Sequence, residues 1–100
     1  MPRRPVLLIV EDDRALAELY RLALSLSNFA VHACADGLEA LRYLEQHTPD
    51  VIVLDLNLPR LPGTIVYDEL RAHAKTIRIP IVVVTSTYSV PELVGATILR

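Results

Sequence analysis

Cysteine is all but missing from this sequence: Cys34 is the single one among 100 residues. That excludes an intrachain disulfide and a cysteine-built zinc cluster, and it fits a reducing, cytoplasmic setting. Long apolar runs are missing as well. Val6–Val10 and Ile79–Val84 are among the longest, and both fall far short of the roughly 20 residues needed to span a bilayer. The first run stops at Glu11, Asp12 and Asp13, too early for a secretory signal. No basic stripe is present either. Ten Lys and Arg residues are scattered along the chain, the net charge is -2, and Arg3 and Arg4 form too short a cluster to hold a nucleic-acid backbone. Repeats, low-complexity tracts and flexible linkers are absent, so residues 1–100 read as one domain.

What the chain does have is apolar material, 52% of residues against 22% charged, enough to bury a core. Val6-Leu7-Leu8-Ile9-Val10 is apolar without alternation, the pattern of a strand covered on both faces in a parallel sheet. Between Arg14 and Ser27 the residues Leu16, Leu19, Tyr20, Ala23, Leu24 and Leu26 recur at helical spacing, with Asp12 or Asp13 as the cap. Asn28 ends that helix, Phe29–Ala35 alternates as a second strand, and Asp36-Gly37 precedes a helix from about Leu38 to Gln46 with Leu38, Leu41 and Leu44 inward. Val51–Leu54 is a third buried strand, ending at Asp55. Pro59, Pro62 and Gly63 then force a loop before a helix from about Thr64 to Ala74. Ile81–Val84, entered through Pro80, is a fourth strand that ends at Thr85-Ser86-Thr87. Ser89–Gly95 suggests one or two helical turns and Ala96–Leu99 a fifth strand, with no closing helix after it.

This repeated order predicts an α/β fold, an open, doubly wound parallel sheet with helices on both faces. In such sheets functional groups gather beyond the carboxyl ends of the strands. Here those ends carry Asp12 and Asp13, Asp55, and Thr85. Unpaired carboxylates crowded together oppose one another's ionisation, and a divalent cation resolves the conflict. Mg²⁺ suits an all-oxygen shell, and no Glu-His or His-His spacing favours zinc. Asp55 is the candidate nucleophile, since an aspartate can attack phosphorus to give an acyl phosphate. Thr85 would hydrogen-bond the phosphoryl group and the small Ser86 would leave room for it. Singly, each acid has a plainer role: Asp12 and Asp13 as helix cap and first-turn charge, Asp55 as a loop cap. Their joint placement favours chemistry. Cys34 and His32 read as packing or edge residues, and His47 and His73 as helix-end residues.

The residues Glu11-Asp12-Asp13, Asp55-Leu56-Asn57-Leu58-Pro59 with Gly63, and Thr85-Ser86 together resemble the receiver domain of two-component response regulators, over about residues 5–87. The resemblance implies a flavodoxin-like sheet, phosphorylation of Asp55, and Mg²⁺ as cofactor with Mn²⁺ as an alternative. It makes Asp13 the more direct metal ligand and Asp12 a ligand through metal-bound water, with Asp55 and the backbone carbonyl of Asn57 completing the set. Thr85 would move towards the phosphoryl group, and Asn57 and Thr87 would tune how long the acyl phosphate survives. A sensor histidine kinase or phosphotransfer protein is the implied donor, a downstream protein or effector domain the implied reader, and a homodimer one implied assembly. The domain would promote its own phosphorylation and hydrolysis without a separate turnover substrate.

Two departures from the family stand out. Its lysine after the fifth strand has no counterpart, because the only lysine is Lys75 near the end of the third helix. Arg100 or a residue beyond it would have to serve, and arginine is a rigid fork rather than a point charge. The fifth strand Ala96-Thr97-Ile98-Leu99 lacks the family's aromatic, and the usual C-terminal helix is missing from the sequence, so the domain is expected to be C-terminally incomplete or remodelled. The competing functions are a docking module that keeps the fold without phosphorylation and a small phosphatase using an aspartyl intermediate.

Overall fold

Strand and helix alternate from the start, as the hydrophobic pattern predicts: β1 (Val6–Val10), α1 (Arg14–Ser25), β2 (Ala30–Cys34), α2 (Gly37–Gln46), β3 (Val51–Asp55), α3 (Gly63–Ala72), β4 (Ile81–Val84) and β5 (Ala96–Leu99). These elements come from a computed structural model that describes residues 3–84 and 96–99. The strands form one parallel sheet in the order β2-β1-β3-β4-β5. Ser89–Gly95, read above as helical turns, and Arg100 lie outside the described residues.

The sheet is built from strands buried on both faces. Leu8 and Val10 share a core with Ile52, Leu54, Ile81 and Val83 and with Ala40, Leu44, Val66, Tyr67 and Leu70 of α2 and α3. Leu7 and Ile9 alternate to the opposite face, where α1 lies, and are equally buried. A fully buried Leu or Ile contributes roughly 1.5–3 kcal/mol relative to exposure, so this layer fixes the strand register.

Two helix faces differ from expectation. In α1 the buried residue is Ala17, while Leu19 and Leu26 are 63% and 89% exposed. At about 100° per residue those leucines lie on the side opposite Ala17, the small residue that faces the sheet. In α2 the buried positions are Gly37, Ala40 and Leu44, and Leu38 points outward for the same angular reason. Asn28 ends the α1 turn with a φ of 68°, a conformation asparagine tolerates. Among the described residues no helix is long and apolar enough to cross a membrane.

The chain steps from β1 out to β2 and back past β1 to β3, so the strand order reverses between β1 and β3. A crevice opens at such a reversal, beyond the carboxyl ends of the two strands.

Candidate metal centre

The register pairs Val10 of β1 with Leu54 of β3, so the next residues on the two strands, Glu11 and Asp55, come level. Neighbouring strands hold both in place. The Glu11 amide donates to the Cys34 carbonyl at 3.0 Å, and the Leu56 amide to the Val84 carbonyl at 3.3 Å. With Asp12, these residues form a group of three whose ligand oxygens lie within 4.8 Å of one another. Glu11 is buried, Asp55 half-buried and Asp12 exposed.

Glu11 shows the strain of this crowding. Burial, then its hydrogen bond to and repulsion by Asp55, push its carboxyl from 4.5 up to about 8. A divalent cation would supply the missing positive charge, and an all-carboxylate donor set suits a hard ion. The chemistry of the cluster therefore fits Mg²⁺ or Mn²⁺.

Asp13 is elsewhere. Its Oδ1 accepts the Leu16 amide at 3.1 Å and caps α1. Of the acidic residues singled out in the sequence, Asp12 and Asp55 come together while Asp13 faces the helix, and Glu11 takes the third place. The signal was present: an N-cap lies immediately before the first helical residue, so Asp13 was already engaged and Glu11 was left to pair with Asp12.

The loop after Asp55, residues 56–62 and here called the acceptor loop after the expected role of Asp55, is shaped by its own backbone. Asp55 Oδ1 accepts the Asn57 amide at 2.9 Å, which fixes the carboxylate's rotation. Leu56 and Leu58 are buried and root the loop in the core, with Asn57 exposed between them. Gly63 lets α3 start against the strand end: a Cβ there would press on the Asp55 carbonyl and lie 2.6 Å from the Leu56 Cα. The Gly63 amide donates to Leu56 at 3.2 Å.

A second buried acid follows the neighbouring strand β2. Asp36 ends the turn after β2 and caps α2 by accepting the Glu39 amide at 2.9 Å, and it pairs with Arg60 of the acceptor loop. The Glu39 amide first, and Arg60 after it, hold its carboxyl below the ordinary value against the effect of burial. Sequence reasoning passed over this pair, because Asp36 sits 24 residues from Arg60.

The remaining candidates separate cleanly. Thr85, Ser86 and Thr87 lie outside the described residues. Lys75 is at the far pole, donating to the Leu44 and Glu45 carbonyls at 2.9 and 3.3 Å. It borders a cavity of about 500 Å³ between α2 and α3, whose lining includes none of the clustered carboxylates. Burial pushes the Cys34 thiol up to about 12, which leaves it unreactive. His32, Tyr43 and His47 stack ring on ring, with centroids 4.2 and 4.3 Å apart, on the surface of β2 and α2.

Residues 7–99 match the model of the response regulator receiver domain family. The response regulator MprA of Mycobacterium sp. (strain KMS) is 42% identical over 95 residues, which cover 95% of this chain and 40% of that protein. The chain thus spans about 40% of the length of the curated relatives it matches. Among solved structures, the receiver domain of the sensor histidine kinase PA1611 from Pseudomonas aeruginosa PAO1, with a magnesium ion coordinated in its active-site cleft, superposes with a TM-score of 0.80 at 31% identity. The match covers 84% of this chain and 69% of that one. The Mn²⁺-bound form of response regulator Rcp1 superposes with a TM-score of 0.78 at 34% identity, over 85% of this chain and 68% of that one.

Proposed function

This chain belongs to the response regulator receiver domain family, and on that premise we propose that it takes a phosphoryl group onto Asp55 from a partner histidine kinase or phosphotransfer protein, in the cytoplasm. The observation that carries the proposal is the meeting of Glu11, Asp12 and Asp55 at the carboxyl ends of adjacent parallel strands.

A carboxylate oxygen of Asp55 attacks the phosphorus of a phosphohistidine. The new O–P bond forms as the P–N bond breaks, and the electron pair leaves with the imidazole. The Asn57 amide holds the Asp55 carboxylate in one rotation through Oδ1, so the nucleophile does not have to be ordered at the moment of reaction. Asp12, Asp55 and the Asn57 carbonyl would hold Mg²⁺, or Mn²⁺ in its place, with Glu11 acting through water. When bound, the ion offsets the negative charge that the phosphoryl oxygens bring into an acidic crevice. Asp13, engaged as the cap of α1, sets the direction of the Glu11-Asp12 turn instead of binding the ion. The Thr85 hydroxyl would donate to the phosphoryl group with Ser86 leaving space, and Asn57 and Thr87 would govern the lifetime of the acyl phosphate. The resulting change in conformation would be read by a downstream protein or effector domain.

Incubation with acetyl phosphate and Mg²⁺ followed by intact mass measurement should show one added phosphoryl group, absent in Asp55→Asn. No label under conditions that label a known receiver would overturn the proposal.

A further inference from the structure

Two loops meet at the carboxyl edge of the sheet: the acceptor loop, residues 56–62, and the turn from β2 into α2. Arg60 stands at the tip of the first. Its φ is 64°, and the Leu61 amide donates across it to the Pro59 carbonyl at 2.7 Å. An i to i+2 hydrogen bond around a positive φ is the rare, strained form of the γ-turn, and a residue with a side chain adopts it at a cost. Such strain persists where the surroundings over-determine the conformation.

Here the surroundings are identifiable. The Arg60 guanidinium donates to Oδ2 of Asp36, whose side chain is only 5% exposed, while Oδ1 of the same carboxylate caps α2. Beside this pair, Leu61 packs over Gly37. A Cβ on Gly37 would lie 3.2 Å from both Cβ and Cδ2 of Leu61, so the missing side chain leaves the leucine its seat. The loop is thus rooted at Leu56 and Leu58 in the core and fastened at its tip to the first turn of α2.

We propose that Arg60 is a positioning residue: by pairing with Asp36 it latches the acceptor loop to α2 and so holds Asn57 and the Asp55 carboxylate in the arrangement that receives the metal ion and the phosphoryl group. This rests on the reading of Asp55 as phospho-acceptor. A loop released from α2 would sample other arrangements, and each binding event would then have to reorder it. Arginine suits the task because its planar fork can be aimed from an exposed loop at a single buried carboxylate, where an ammonium replaces the charge but not the fork.

Arg60→Gly separates the latch from the fold, since glycine accepts a positive φ without strain. Its thermal midpoint should fall only modestly, because relief of the positive-φ strain offsets part of the lost ion pair. In the metal-free protein, backbone amide NMR relaxation at Asn57, Leu58 and Leu61 should report a more mobile loop. Mg²⁺ affinity should fall roughly 10-fold, the low end of the effect of losing a contact that supports a ligand. Arg60→Lys should restore part of the affinity, and Asp36→Asn, which keeps a capping acceptor, should reproduce the glycine variant. A purely structural role would lower the thermal midpoint without raising loop mobility or weakening Mg²⁺ binding, and lysine would restore nothing. Unchanged loop motion or unchanged Mg²⁺ affinity in Arg60→Gly would overturn the proposal. Failure of the wild-type protein to bind Mg²⁺ would count against the function proposed above, while the relaxation comparison in metal-free protein still decides the latch.

Discussion

Glu11 and Asp36 are buried acids that follow adjacent strands, 8% and 3% exposed, and they end in opposite electrostatic states. Asp36 has a backbone amide at one oxygen and a guanidinium at the other, and its carboxyl lies below the ordinary value. Glu11 faces Asp55 and Asp12, with its carboxyl raised to about 8. Burial opposes ionisation in both, so the neighbours decide the outcome. The lesson is local: an acid supplied with donors fastens a loop, whereas an acid surrounded by other acids needs a cation from outside.

The largest expected effect removes the reason for the crowding. Asp55→Asn should abolish phosphoryl uptake and at the same time lower the Glu11 carboxyl towards its ordinary value, as followed by carboxyl-carbon NMR titration. Retained labelling would mean that a residue other than Asp55 accepts the phosphoryl group.

Next comes the apolar floor under the crowded acids. Leu54, fully buried, precedes Asp55, and Leu54→Ala should cost about 2–5 kcal/mol in denaturant unfolding. A loss well below that range would mean that β3 is not the rigid base on which the site stands.

The pH dependence of metal-free stability sharpens the contrast further. Glu11 has a folded-state value above its unfolded one, so its contribution is complete below about 4.5 and is lost as pH rises to about 8. The loss should be on the order of a few kcal/mol. Glu11→Gln should remove this slope, as should saturating Mg²⁺; a slope unchanged by both would point to another group. Asp36 works in the other direction: its lowered value means that its contribution is lost on acidification. The smallest effect is expected for Asp36→Asn near neutral pH: the cap survives, so the thermal midpoint should fall only by the charge-dependent part that acidification also removes, with Asp36→Ala lower because the cap is gone.

Much of this was legible in the sequence, and for reasons that can be named. Val6–Val10 and Val51–Asp55 read as strands because β-branched and leucine runs bounded by acids and loops have few other uses, and both appear with the expected bounds. Asp55 was legible because a strand end before a proline-rich loop is a conspicuous place for an acid. Rotation about a helix axis was less legible. The apolar residues of α1 are spread widely enough that Leu19 and Leu26 fit a stripe on paper, while the small Ala17 is what meets the sheet. Asp13 and Glu11 lie two positions apart on either side of Asp12, and it is the register Val10 to Leu54 that brings Glu11 level with Asp55. The Arg60–Asp36 pair had no local signal, since nothing in either segment marks the partner 24 residues away.

The central claim is that Glu11, Asp12 and the phospho-acceptor Asp55 together form a site for a divalent cation. Titration of the wild-type protein and Asp12→Asn with Mg²⁺, followed by backbone amide NMR shifts, tests it most directly. Saturable shifts are expected at residues 10–13 and 55–57 in the wild-type protein, largely lost in the variant. Shifts that do not saturate, or that persist unchanged in Asp12→Asn, would contradict it.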